Sequence, residues 1–131
     1  MRALLAAVCL VASPALAQDT LRETPDYFAA AVFDVSTAQA LARSCATISV
    51  DPVATVQRSE ALLTQLVEDG FSTEAPHLEM DNPDAAIREL QAAFVERYGL
   101  VEPSEERVCE VARLEITEGS GIGTILLDLN E

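Results

Sequence analysis

Two segments of this sequence carry both a helix start signal and a helix stop signal, and these signals constrain the fold more than any other feature. Asp51-Pro52 places a capping side chain before a proline at the first helical position, and Gly70-Phe71 supplies the glycine and apolar residue that typically end a helix. Asp81-Asn82-Pro83 and Gly99-Leu100 repeat the same pattern. The sequence therefore predicts one helix from about residue 52 to 69 and another from about 83 to 98.

Apolar periodicity adds two further helices. Spacings of three and four residues predict a helix from Asp26 to Cys45, and Ser104 is a candidate cap for a last helix, whose apolar pattern continues to about Leu129. Residues 46–50 are predicted to be a connecting loop, and residues 72–81 are ambiguous. No run of alternating β-branched residues is long enough to indicate a sheet. We therefore expect a single all-α domain of about four amphipathic helices over residues 26–131.

In the second of these helices, five apolar residues are predicted to line one face. They are Val53, Val56, Leu63, Leu66 and Val67.

Three glycines, Gly119, Gly121 and Gly123, interrupt the last helix. They either break it into two pieces or let another helix pack closely through Gly119 and Gly123. A phosphate-binding loop of this kind would have to follow a strand, and a Walker loop would need a lysine, of which the sequence has none. Helix packing or a kink is the favoured interpretation.

Residues 1–17 have the features of a cleavable secretory signal peptide in the expected order. Met1-Arg2 gives a positive start, residues 3–12 are apolar, Ser13-Pro14 breaks the run, and Ala15-Leu16-Ala17 has the small residues that signal peptidase requires. The apolar run is too short for the roughly 20 residues of a membrane-spanning helix. Cleavage between Ala17 and Gln18 is therefore expected.

Export has several consequences for the predicted protein. Cys9 lies inside the apolar run behind bulky Val8, which argues against lipid attachment. The remaining chain is expected to have a short extended arm at residues 18–25 and no second apolar stretch that could span a membrane. Its expected location is the periplasm or the exterior.

The charge balance excludes some classes of partner. The chain has 22 acidic residues against eight arginines and a formal net charge of −14, which becomes one unit more negative without Arg2. Nucleic acids and anionic membrane surfaces require a basic footprint, so neither is an expected partner. A basic protein partner and loose cation binding stay possible, although a solvated acidic surface is the simplest interpretation.

Cys45 and Cys109 are the two cysteines that survive the predicted cleavage. An isolated pair in a small exported domain usually forms a disulfide, here across 64 residues. A reactive thiol is less favoured because no His or Lys lies near either Cys in the sequence to lower its pKa. A Cys45–Cys109 bond would hold the end of the first helix against the start of the last.

The remaining candidates for chemistry are weak. His77 is the only histidine, so a multi-histidine zinc site is excluded and a Ser-His-Asp triad with Ser120 has nothing to position it. Glu79, Asp81 and Asp84 suggest calcium, but the EF-hand glycine and final glutamate do not fit, and helix capping is favoured. No catalytic residue, cofactor or metal ligand is predicted.

Several short segments resemble a known family. They are Cys45-x-x-Ile48-Ser49, Gly70-Phe71-Ser72, Tyr98-Gly99-Leu100-Val101, and the run from Cys109 through Glu115-Ile116-Thr117-Glu118-Gly119-Ser120 to Ile122-Gly123 and Leu127. Together they resemble the small exported bacterial proteins called domain of unknown function 5333, over nearly all of the chain after the signal peptide. The resemblance implies that the two cysteines act as a pair and that Gly119-Ser120 is structural. It also suggests an accessory role near respiratory NADH dehydrogenase, and it assigns no catalytic residue.

These observations lead to a functional hypothesis of limited detail. The leading expectation is a non-enzymatic periplasmic protein that binds another protein. A second hypothesis is an acid-stress holdase chaperone, because protonation of many carboxylates would remove self-repulsion and expose apolar helix faces. An enzyme of a new type is the third, and it would require a polar cluster inside a pocket.

Overall fold

The computed structural model describes residues 20–131, and over these residues the protein is mostly helical, as predicted. The predicted signal peptide and its cleavage site lie outside the described residues. Four α-helices account for most of the chain, together with two short 3₁₀ turns and two short strands. The helices are α1 (Asp26–Ser44), α2 (Pro52–Glu68), α3 (Asp84–Tyr98) and α4 (Glu105–Glu118), and the strands are β1 (Ile48–Val50) and β2 (Leu126–Asp128).

The predicted start signals are confirmed in atomic detail for α2 and α4. The Asp51 side chain accepts hydrogen bonds from the amides of Val53 and Ala54 at 2.8 and 3.1 Å. Ser104 accepts one from the Arg107 amide at 3.2 Å. These side chains satisfy amides that have no partner inside the helix, which is why each helix begins there.

The predicted stop signals are also confirmed. Gly70 and Gly99 have φ angles of 88° and 63°, a region that glycine adopts without strain. The Phe71 amide donates to Leu66 O at 2.9 Å and the Leu100 amide to Val95 O at 3.0 Å, which closes the last turn of α2 and of α3.

The prediction of no sheet was wrong for six residues. β1 pairs antiparallel with β2, with Ile48 opposite Asp128 and Val50 opposite Leu126. β1 lies within the segment predicted to be a loop, and β2 lies within the predicted last helix. Both strands are three residues long. A segment this short carries too little periodicity to be recognised, so the pairing depends on tertiary contacts.

The sequence left open whether the last helix is continuous through Gly119 and Gly123, and in the structure the helix is interrupted at Gly119. α4 ends at Glu118, and Gly119 has a φ of 63° at its C-terminal cap. Gly119 therefore ends the helix and does not serve as a helix-packing position. Gly123 is a close-packing residue, but its neighbour is the Glu115 carbonyl of α4 and not another helix.

The main core lies between α1, α4 and the turn that leads into β2. Its most buried members include Ala38, Val111, Ala112 and Ile125, each exposed by 1 % or less. The Cys45–Cys109 disulfide joins the residue after α1 to the second turn of α4, with Cα atoms 5.2 Å apart. The bond therefore crosslinks two helices at the edge of the core, as expected from the cysteine pair.

A smaller cluster holds the described part of the N-terminal arm. Leu66, Phe71 and Met80 form this cluster, with Tyr27 packed against it. The Arg22 amide donates to Glu79 O, and the Asp81 amide donates to Arg22 O, both at 2.8 Å. The arm is therefore fixed to the loop between α2 and α3 from Arg22 onward.

No helix within residues 20–131 is long and apolar enough to cross a membrane.

Candidate functional site

Glu115 is the most deeply buried charged residue of the described chain and the centre of a polar cluster. It lies on α4 and is 2 % exposed. Tyr98 at the end of α3 donates its hydroxyl hydrogen to one carboxylate oxygen, and Ser120 donates to the other. The Ser120 hydroxyl in turn accepts a hydrogen bond from the Gly123 amide at 2.9 Å. The carboxylate therefore links α3, α4 and the glycine-rich turn.

An ion pair between α1 and α2 lies beside this cluster. Arg58 of α2 contacts the Asp34 carboxylate of α1, whose side chain is 14 % exposed. A Cβ atom on Gly121 would overlap the Asp34 carboxylate, so the turn after α4 lies directly against the pair. The Arg58 Nε atom is buried without a hydrogen-bond partner among residues 20–131. The pair therefore places a charged contact where α1, α2 and the turn meet.

Burial shifts the proton affinity of two groups in the cluster. Desolvation and the hydrogen bond to Glu115 raise the pKa of Tyr98 to about 12. Desolvation raises the pKa of Asp34 above its ordinary value, because burial and the nearby Glu115 charge outweigh the attraction of Arg58. Tyr98 therefore stays a neutral hydrogen-bond donor over the whole physiological range.

The geometry of the cluster is that of a structural network. Both Glu115 oxygens already have hydroxyl partners, and the residue is almost fully excluded from solvent. A catalytic carboxylate must reach a substrate proton within about 3 Å or through one water. Glu115 instead satisfies polar groups that would be costly to bury without partners.

Sequence reasoning missed this cluster, although one signal was present. Val108, Val111 and Ala112 recur at helical spacing on the apolar face of α4, and Glu115 follows them at the next position of the same face. A carboxylate at a core position indicates a buried network. Tyr98 and the neighbouring Asp34 carry no such signal, because Tyr98 follows Phe94 at helical spacing like an apolar residue and Asp34 lies among small and apolar residues of α1.

The second candidate site is the outer face of α2, where most of the predicted apolar face is exposed. Of the five residues predicted to line this face, only Leu66 is buried. The other four form what we call the α2 stripe, and Val53 and Val56 are 64 % and 56 % exposed. Their spacing of three, seven and four residues places them along one side of the helix. The stripe consists of Val53, Val56, Leu63 and Val67.

One charge lies within the α2 stripe. Glu60 is exposed and follows Val53 by seven residues and Val56 by four, so it occupies the middle of the same side. The adjacent side of the helix carries Leu66, which follows Leu63 by three residues and packs into the smaller cluster with Leu62 against it. α2 is therefore apolar on two neighbouring sides, and only one of them is covered by the described chain.

The residues considered as catalytic or metal-binding candidates are dispersed. His77 lies in the 3₁₀ turn Pro76–Glu79, whereas Ser120 lies in the Glu115 cluster. Glu79 accepts a hydrogen bond from the Ser72 amide at 3.0 Å, and hydrogen bonding to Ser72 lowers its pKa. Asn82 accepts one from the Asp84 amide at 2.9 Å at the start of α3. Residues 20–131 contain no group of three His, Cys, Asp or Glu side chains arranged to hold a metal ion.

Comparison with known proteins gives a family but no activity. No curated protein and no solved structure shows significant similarity to the chain. The profile of a family of unknown function, DUF5333, matches residues 19–127, a span that includes both cysteines, Glu115 and the glycine-rich turn. The resemblance seen in the short motifs is thus confirmed over most of the chain. This protein belongs to the DUF5333 family, whose function is unknown.

Proposed function

We propose that this chain is an exported, non-enzymatic factor of the cell envelope that binds another protein through the α2 stripe. The observation that carries the proposal is the exposure of four apolar residues on one side of a single helix. Scattered surface leucines and valines are ordinary, whereas an aligned set is typical of an interaction surface. Covering the stripe with a partner would remove this apolar surface from water, which favours association.

The charge distribution supports a basic amphipathic helix as the partner. Glu60 within the stripe would be buried on binding, and a buried charge needs an opposite charge to offset its desolvation. The whole chain is strongly acidic, with a formal net charge of −14, so long-range attraction also favours a basic surface. A partner helix with an apolar face and one Lys or Arg opposite Glu60 meets both requirements.

A pair of matched double variants tests the stripe. Val56→Glu/Leu63→Glu places two charges on the stripe, and Ala85→Glu/Ala92→Glu places two charges at the same seven-residue spacing on exposed positions of α3. Tagged proteins are used to isolate partners from envelope fractions, and each partner is then purified and its Kd measured. We expect the stripe variant to weaken binding at least ten-fold and the control variant to weaken it less than two-fold. Equal affinities of both variants for every purified partner would contradict the proposal.

Export is tested separately. The contacts that fix the arm begin beyond the proposed cleavage point, since Arg22 lies four residues after Gln18. Removal of residues 1–17 therefore leaves these contacts in place. We expect protein recovered from the periplasm to begin at Gln18 by N-terminal sequencing. Recovery of the uncleaved chain in the cytoplasm would overturn the assignment of compartment.

The non-enzymatic part of the proposal is supported by the shielding of Glu115. The carboxylate that burial singles out is enclosed, and each of its oxygens already accepts a hydrogen bond from a hydroxyl group of the protein. The acid-stress holdase and the accessory role near respiratory NADH dehydrogenase stay predictions. Suppression of client aggregation at about pH 3, measured by light scattering, would replace the leading proposal with the holdase.

A further inference from the structure

A groove between α1 and α3 has the size of a small-molecule site. Its volume is about 380 Å³, within the range of roughly 300–1,000 Å³ that is typical of ligand pockets. Phe33 and Leu41 of α1 and Phe94 of α3 give it an apolar wall, and Val108 of α4 also lines it. The small residue Ala40 lies on α1 beside the groove and leaves the space open.

Thr37 supplies a hydrogen-bonding group inside this groove. The residue lines the groove and is only 9 % exposed. Three other helical threonines, Thr55, Thr64 and Thr117, donate to the carbonyl four residues earlier at 2.7 to 3.0 Å. The Thr37 hydroxyl makes no such bond, nor any other with a group in residues 20–131. Although the residue is mostly buried, its hydroxyl oxygen is not among the buried unpaired atoms of these residues, so it is open to the groove and its hydrogen-bonding capacity is available to a molecule there.

The absence of charged side chains from the groove lining determines which class of small molecule the groove can bind. None of the side chains that line the groove is charged. The protein as a whole is strongly acidic, so an anionic ligand would be repelled and would find no cation to pair with. A charged head group of either sign would also lose hydration without compensation.

We propose that the α1–α3 groove binds an uncharged, mainly apolar small molecule that exchanges one hydrogen bond with the Thr37 hydroxyl. The apolar walls supply the driving force for burial, and Thr37 fixes the orientation of the single polar group. This site is independent of the α2 stripe, because α2 contributes no residue to the groove.

Fluorescence titration with a matched pair of probes tests the proposal. N-phenyl-1-naphthylamine is uncharged and carries one N–H donor, and 8-anilino-1-naphthalenesulfonate has the same aromatic frame with a negative charge. Protein purified from cells expressing the full chain is titrated with each. We expect one uncharged probe to bind per chain, at least ten-fold more tightly than the anionic probe.

Four variants locate the probe. Thr37→Val keeps the shape of the side chain and removes the hydroxyl, and we expect about five-fold weaker binding. Ala40→Leu fills the groove and should weaken binding more than ten-fold, whereas Ala92→Leu makes the same change at an exposed position of α3 outside the groove and should have no effect. The stripe variant Val56→Glu/Leu63→Glu should also bind normally, so a failure of the proposed function leaves this test intact. Thermal unfolding of each variant verifies that the fold is retained.

Several outcomes would overturn the site. Unchanged affinity in a folded Ala40→Leu variant would place the probe elsewhere, and equal affinity for the anionic probe would contradict the assigned chemistry. Unchanged affinity in Thr37→Val would remove the role of the hydroxyl. Self-association that the uncharged probe reverses, measured by sedimentation, would show that a second copy of the chain occupies the groove instead.

Discussion

Tyr98 and Glu115 lie on consecutive helices and share a hydrogen bond inside the protein, with the phenol donating to a carboxylate that is 2 % exposed. The bond ties the last residue of α3 to the third turn of α4. Arg107 of α4 also holds the end of α3, because its guanidinium donates hydrogen bonds to Tyr98 O at 2.9 and 3.2 Å. The orientation of α3 on α4 therefore depends on one buried polar contact as well as on apolar packing.

Removing the Tyr98 hydroxyl tests the importance of this contact. We expect Tyr98→Phe to lower the free energy of unfolding by about 1–3 kcal/mol, since it leaves a buried carboxylate oxygen without its donor. The measurement is urea denaturation followed by circular dichroism. Tyr27→Phe is the control, because the Tyr27 hydroxyl donates to Asp69 at 2.6 Å at the surface, where water can replace it. Equal losses in the two variants would contradict a special role for the buried pair.

Alkaline pH should destabilise the protein in a defined window. The pKa of Tyr98 is raised from 10.0 to about 12, so the folded state holds its phenolic proton more tightly than the unfolded state does. The contribution of this proton to the free energy of unfolding is fully present below pH 10 and is lost as the pH rises toward 12. We expect urea midpoints to fall over this range, with a smaller fall in Tyr98→Phe. An identical pH dependence for both proteins would show that Tyr98 is not responsible.

Acid should act in opposite directions at two carboxylates. Hydrogen bonding to Asn130 and Arg113 lowers the pKa of Asp128, so its stabilising contribution is present above its ordinary pKa of 3.8 and is lost as the pH falls through the folded value. Asp34 has a raised pKa and favours the folded state more as the pH falls. We therefore expect the free energy of unfolding to fall less steeply between pH 6 and pH 3 in Asp128→Asn than in the unmodified protein. Urea titrations at each pH measure it. A steeper dependence in the variant would contradict the assignment.

The disulfide should supply a large part of the stability. Chain entropy gives a crosslink across 64 residues an upper value of about 4 kcal/mol. We expect reduction, or replacement of Cys45 and Cys109 by alanine, to lower the urea midpoint strongly. Reductant should have no effect on the double variant, which serves as the control. An intact mass that corresponds to two free thiols in protein from the periplasm would contradict the bond.

The glycines of the turn should differ in their tolerance of a methyl group. A Cβ on Gly123 would overlap the Glu115 backbone carbonyl, which cannot move without distorting the end of α4. A Cβ on Gly119 has open space around it and meets only the strain of a φ of 63°, about 1 kcal/mol. We expect Gly123→Ala to lower the melting temperature far more than Gly119→Ala. Comparable losses would show that backbone strain, and not the close approach, dominates.

The helices could be predicted from the sequence because their ends are encoded locally. Asp51 and Ser104 cap neighbouring amides, and Gly70 and Gly99 adopt a conformation that other residues avoid, so each boundary is fixed within a few residues. The strand pair could not be predicted, since Val50 and Leu126 are far apart in the sequence and their pairing depends on tertiary contacts.

The candidate sites were less predictable than the helices. Periodicity placed the α2 stripe correctly on one side of its helix but could not show whether another element covers it. Val56 and Leu66 look alike in the sequence, although the first is 56 % exposed and the second is 2 % exposed. Likewise, nothing near Thr37 in the sequence indicates that its hydroxyl would be left unpaired beside a groove. Both features depend on how distant helices pack.

The pairing of β1 with β2 sets the order in which a newly made chain can mature. β1 lies ahead of three helices and its partner strand is formed by residues 126–128, so the two strands cannot pair while those residues are still inside the ribosome. Cys45 leaves the ribosome long before Cys109, and until Cys109 follows, its thiol has no intramolecular partner. A chain built in this order gains its final shape only after the whole of it has been synthesised.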